Sequence, residues 1–141
     1  MLDDGGHRAR CRQASQSIKI LLVEDSRVLA ERLTDALAEY RQFDIIGSVD
    51  TEAQALRIIG RRRVDLLLLD LHLKQGSGFG VMRALVGTSN APQIIVLTNH
   101  DLPEYLTAAL NLGAAAFLDK ARHFHSLPEI LAAKLRALDL G

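Results

Sequence analysis

The chain has 141 residues, 48% of them hydrophobic, with 17 Lys+Arg balanced by 17 Asp+Glu, three prolines, one cysteine and no tryptophan. That length suits one compact domain, and a formal charge of zero excludes the basic stripe of a typical nucleic-acid-binding surface. Cys11 alone cannot form an internal disulfide, and apolar runs of four or five residues fall far short of the roughly 20 a membrane helix needs, so a cytoplasmic domain touching neither membrane nor nucleic acid is expected.

Residues 1–17 contain Gly5, Gly6, Arg8, Arg10, Arg12, Ser15 and Ser17 but few apolar side chains. Such a segment buries too little surface to offset the entropy of ordering, and it reads as a flexible leader to a domain over 18–141. From Ile18 short apolar runs alternate with helical patterns. Strands are predicted at 18–23, 45–49, 65–69, 93–97 and 115–118, with helices between and after them near 26–40, 52–60, 78–86, 102–112 and 127–138. This is the rhythm of βα units. The runs Leu66-Leu67-Leu68-Leu69 and Ile94-Ile95-Val96-Leu97 lack polar alternation, as expected of central parallel strands covered on both faces. Asp101-Leu102-Pro103-Glu104 and Ser126-Leu127-Pro128-Glu129 each set a capping oxygen three residues before a glutamate, with proline in the first turn. Leu127, Ile130, Leu131, Leu135 and Leu138 form one helical stripe that should pack on the sheet, and Gly113 suits a helix stop.

A parallel α/β sheet binds its ligand at the carboxyl ends of its strands. Here those ends carry Glu24-Asp25, Asp70, Thr98 and Asp119-Lys120. Three converging carboxylates repel one another, and a divalent cation relieves that repulsion; an all-oxygen ligand set with few carboxylates fits Mg²⁺ best. Thr98 and Lys120 would complete the surroundings of an anion. A phosphoryl group is the natural candidate, with Asp70 the central candidate for nucleophile and Glu24 and Asp25 for metal ligands. Each residue also has a simpler reading: Asp25 as a helix cap, Asp70 as a turn residue, Thr98 as a strand-end hydroxyl, Lys120 as a solvated charge. The signal is their combination.

That combination resembles the receiver domain of bacterial two-component response regulators. The resemblance is carried by Ile20-Leu21-Leu22-Val23-Glu24-Asp25-Ser26, by Asp65-Leu66-Leu67-Leu68-Leu69-Asp70-Leu71-His72-Leu73 with Gly78 eight residues after Asp70, by Ile95-Val96-Leu97-Thr98, and by Gly113-Ala114-Ala115-Ala116-Phe117-Leu118-Asp119-Lys120. It implies a flavodoxin-like, doubly wound five-stranded sheet of order 2-1-3-4-5. It also implies Mg²⁺-dependent transfer of phosphate to Asp70 from a histidine kinase or phosphotransfer protein. By the same carry-over Glu24, Asp25, Asp70 and the His72 backbone carbonyl hold the metal, and Thr98 and Lys120 bind phosphoryl oxygens. Phe117 takes the position of an aromatic switch. His72, Asn99 and His100 match positions that tune dephosphorylation. Departures from the family pattern are Lys74 and Ala121 in place of prolines, and Asn99 in place of a smaller residue; a cis bond before Ala121 would cost about 3 kcal/mol.

The expected role is that of a signal receiver rather than a metabolic enzyme. The chain ends soon after the last helix, so output is expected through contact with a downstream target protein or a homodimer, on the face of helix four, strand five and helix five. An aspartate-nucleophile phosphatase would want an acid two residues after its nucleophile, where this chain has His72. A flavin-binding module would want a Ser/Thr/Gly phosphate loop, where it has Glu24-Asp25-Ser26. A receiver belonging to a longer regulator is the remaining alternative.

Overall fold

A computed structural model describes residues 17–99 and 102–137. The expected leader, Ser17 apart, and residues His100, Asp101 and 138–141 lie outside the described residues. Five strands, β1 (Ile18–Val23), β2 (Phe43–Val49), β3 (Leu66–Leu69), β4 (Gln93–Thr98) and β5 (Ala116–Asp119), form one parallel sheet of order β2-β1-β3-β4-β5. The helices are α1 (Arg27–Ala38), α2 (Glu52–Arg61), α3 (Gly78–Leu85), α4 (Pro103–Asn111) and α5 (Leu127–Ala137), with a single helical turn at Lys120–His123. This is the expected flavodoxin-like architecture. Among the described residues no helix is long and apolar enough to cross a membrane.

The two-residue period of a strand sends neighbouring leucines to opposite faces, and both faces are covered. Ile20, Leu22, Leu66 and Leu68 join Leu33 and Leu37 of α1 and Leu127 and Leu131 of α5 in one core layer. Leu21, Val23, Leu67 and Leu69 join Ala55 of α2, Val81 and Met82 of α3 and Ala109 of α4 in the other. In the last helix Leu127 and Leu131 are buried and Ile130 packs beside them; the Leu135 side chain and Leu138 lie outside the described residues.

Several boundaries differ from expectation. β2 begins at Phe43 rather than at 45, because Phe43 pairs with Ile18 and packs its ring 5.9 Å from that of Tyr40. The intervening Asp44, ion-paired with Lys19 at 2.7 Å, disguises the strand in the sequence. Asp65 lies just before β3 and accepts the Lys19 N–H at 2.9 Å. β4 and β5 each run one residue further than expected, through the paired Thr98 and Asp119. α4 starts at Pro103 with Leu102 as its N-cap and no side-chain capping bond. Gly113 has φ +101°, the left-handed stop anticipated for it.

Candidate functional site

The parallel sheet delivers its strand ends to one edge, where backbone pairing sets the acids side by side. The Glu24 N–H donates to the Val49 carbonyl at 2.9 Å and the Asp70 N–H to the Val23 carbonyl at 2.8 Å. Both side chains are buried, Glu24 at 5% and Asp70 at 4% exposure, whereas Asp25 is solvent-exposed. Ser26, the N-cap of α1, accepts from the Leu29 N–H and donates its own N–H to Glu24 Oε2 at 3.1 Å, turning the chain sharply after β1. One oxygen from each of Glu24, Asp25 and Asp70 lies within 4.8 Å of the others.

Lys120, 8% exposed, enters from the end of β5 and joins the two buried acids. Its ammonium lies 2.8 Å from Glu24 Oε1, 2.9 Å from Glu24 Oε2 and 2.9 Å from Asp70 Oδ2. The other Asp70 oxygen accepts the His72 N–H at 3.2 Å. Burial pushes the Glu24 carboxyl up to about 7 despite the opposing pull of Lys120 and the Ser26 N–H. Burial also works to lower the Lys120 value, but its hydrogen bonds to Glu24 and Asp70 outweigh it and raise the ammonium above the ordinary lysine value. One protonated lysine thus faces two buried acids, and the Glu24 carboxyl holds its proton more readily than an ordinary glutamate.

Thr98, fully buried, closes the end of β4 next to Asp119 of β5. Phe117 is half-buried in β5, in the core layer that also receives Tyr105, Phe79 and Leu112. The exposed His72 sets its ring 5.9 Å from that of Tyr105, which lies 5.9 Å from Phe79. Asn99 is exposed at the end of β4, and His100 lies outside the described residues. The Lys120–Ala121 bond is trans, as no described peptide bond is cis. Expected residues Glu24, Asp25, Asp70 and Lys120 are therefore brought into one cluster, with Thr98 at the neighbouring strand end.

Two sets of contacts leave little trace in the sequence. The His123 ring accepts the Asp119 N–H at 3.0 Å, and the Asp119 carboxylate accepts the Arg122 N–H at 2.9 Å, which together fix the turn that aims Lys120. Glu52, at the start of α2, reaches across to the β3–α3 loop and accepts the Ser77 N–H at 3.1 Å. The only sequence signal for the second was a pair of glycines, Gly76 and Gly80, flanking the start of α3.

The family model of the response regulator receiver domain matches residues 20–132. Similar to the chain is the transcriptional regulatory protein CitB of Klebsiella pneumoniae, 36% identical over 115 residues that cover 82% of this chain and 49% of CitB. The DNA-binding transcriptional activator DevR/DosR of Mycobacterium tuberculosis is 27% identical over 103 residues, covering 73% of this chain and 48% of that protein. Among solved structures, the signal receiver domain of a Luxo repressor protein from Vibrio parahaemolyticus has a TM-score of 0.79 at 28% identity, covering 87% of this chain and 93% of that one. The chain spans about half the length of the curated relatives it matches.

Proposed function

The chain belongs to the response regulator receiver family, and on that premise we propose that it stores a phosphoryl group on Asp70, received from a histidine kinase or phosphotransfer protein. The observation that carries this reading is the buried Lys120 ammonium held at once by Asp70 and Glu24, with an Asp25 oxygen beside them. The His72 N–H and Lys120 fix both Asp70 oxygens and so orient the nucleophile. An Asp70 oxygen forms the new bond to phosphorus while the bond to the donor's leaving group breaks, and that group departs with the bonding electrons. Lys120 then turns to the phosphoryl oxygens, joined by the Thr98 hydroxyl.

The acid cluster is a hard, all-oxygen donor set with surplus negative charge, which fits Mg²⁺. Glu24, Asp25, Asp70 and the His72 carbonyl would hold the ion. When bound, Mg²⁺ supplies positive charge that neutralises the phosphoryl oxygens. Phe117 is assigned the conformational switch. His72, Asn99 and His100 are assigned control of water attack on the acyl phosphate.

Output is assigned to protein contact on the face of α4, β5 and α5, where Leu102, Leu106 and Leu110 form an exposed apolar stripe at helical spacing and Arg122 is also exposed. A target protein or a second copy would cover it. The expectation that no nucleic acid is bound concerns this charge-balanced receiver alone, since DevR/DosR, similar to it along 48% of its own length, is named as DNA-binding. The test is incubation with Mg²⁺ and acetyl phosphate, followed by intact mass measurement. The wild type should gain one phosphoryl group and Asp70→Asn none; an unmodified wild type, or a modified Asp70→Asn, overturns the proposal.

A further inference from the structure

The β3–α3 loop, residues 70–77, carries the Asp70 nucleophile and His72, and it is strapped to the β2–α2 loop by contacts that the transfer chemistry does not use. The Lys74 N–H donates to the Asp50 carbonyl and the Glu52 N–H to the Gln75 carbonyl, each at 3.1 Å. Thr51 and Gln75 pair as in parallel strands, and Lys74 Nζ lies 3.2 Å from Asp50 Oδ2. Asp50 and Lys74 also line the groove of about 470 Å³ whose walls include Glu24 and Asp25, so the strap borders the acid site itself.

The Glu52 carboxylate reaches furthest. Its Oε1 accepts the Ser77 N–H, and Ser77 pairs with His72 across an antiparallel bridge. On the next residue the Gly78 N–H donates to the Leu71 carbonyl at 3.0 Å, so the chain on either side of His72 is held from across the loop. Missing side chains make room for this reach. A Cβ on Gly76, whose φ is +78°, would lie 2.5 Å from Glu52 Cβ, and one on Gly80 would overlap the Glu52 carboxylate.

We propose that Glu52 is a positioning residue that holds the β3–α3 loop, and with it the His72 carbonyl, in the geometry that accepts the divalent cation. The proposal rests on reading the acid cluster as the Mg²⁺ site. A loop that must be ordered during ion binding subtracts its ordering entropy from the affinity, whereas one already strapped does not. Groups that orient metal ligands from behind change affinity by about tenfold or more when removed.

The experiment is calorimetric titration of Mg²⁺ into the full chain as wild type, Glu52→Ala, Glu52→Gln and Gly80→Ala, with amide hydrogen exchange at Ser77 read by NMR in the absence of metal. Glu52→Ala should bind Mg²⁺ about tenfold more weakly and exchange the Ser77 amide faster. Glu52→Gln, whose amide oxygen accepts the same N–H, should restore both. Gly80→Ala favours the helix but sets a methyl where the carboxylate sits, and should reproduce Glu52→Ala. Metal affinity or Ser77 exchange in Glu52→Ala equal to wild type overturns the strap while leaving the Mg²⁺ reading intact. A wild-type chain that binds no Mg²⁺ overturns the reading of the site, and the proposal with it.

Discussion

Replacing Lys120 with methionine isolates the charge balance of the site. The ammonium makes contacts of 2.8 to 2.9 Å with both Glu24 oxygens and one Asp70 oxygen, and none of the three groups is more than 8% exposed, so solvent screens little of the interaction. Methionine keeps most of the buried stem and deletes the charge. Removing one partner of a buried pair costs about 3–5 kcal/mol, because the charge left behind stays desolvated. Here two carboxylates remain facing each other, and proton uptake by one of them sets the loss near the lower end, about 3 kcal/mol. In a domain of this size that lowers the thermal midpoint by roughly 10 °C. The assay is thermal unfolding in chelator followed by far-ultraviolet circular dichroism, since the chain has no tryptophan to report fluorescence. At pH 8 the full drop is expected. At pH 5 Glu24 is already protonated, one unpaired carboxylate remains instead of two, and the drop shrinks. A drop of the same size at both pH values, or none at pH 8, would refute the reasoning that Lys120 neutralises a pair of buried acids.

Two further outcomes follow from the same geometry. Glu24 has a folded value of about 7 against an ordinary 4.5, so between those values the folded chain holds a proton that the unfolded chain has lost. Its contribution to stability is complete below pH 4.5 and disappears as the pH rises through 7; denaturant titrations in chelator should show that decline in the wild type and a flatter profile in Glu24→Gln, and matching slopes would assign the decline to another group. Gly78→Ala places a Cβ over the Asp70 carbonyl and 2.9 Å from Leu71 Cα, both of them backbone, so the loop carrying Asp70 must move. A loss of about 2 kcal/mol and slower labelling by acetyl phosphate are expected, and wild-type values in both measurements would show that the loop has slack.

The parts of the fold visible in the sequence are those governed by local pattern. Four successive leucines, Leu66 to Leu69, announce a strand buried on both faces, and both core layers receive them. Gly113 marks a helix stop because few other residues tolerate a φ of +101°. Where a long-range partner decides the outcome, the pattern is silent. Asp44 breaks the apolar run of β2 because Lys19, 25 residues away, neutralises it. The turn at Lys120–His123 depends on the Asp119 and His123 contacts rather than on any apolar periodicity. In the site, Glu24, Asp25, Asp70 and Lys120 were legible because a parallel sheet sends every strand end to one edge. Glu52 was not, because it lies one residue into α2 and acts across 25 residues on Ser77.

The sharing of Lys120 bears on how the receiver would change state. With Glu24, Asp25 and Asp70 ionised and Lys120 protonated, the cluster holds two surplus negative charges. Exposed Asp25 is solvated, so the cost of that surplus falls on the buried Glu24–Asp70 pair. A dication matches the surplus; a monovalent cation leaves half of it. On the proposed reading, phosphorylation replaces the single charge of Asp70 with about two on the phosphoryl oxygens, and Lys120 is the only cation within hydrogen-bonding distance of Asp70 among the described residues. Its ammonium has three donors, now spent on Glu24 and Asp70 oxygens, so each bond it gives to phosphate is one withdrawn from these two acids. On that reading the Glu24–Lys120 pair would weaken as Lys120 turns to the phosphate. On the same reading, because Lys120 follows directly on β5, its retreat from Glu24 would pull on the strand that carries Phe117.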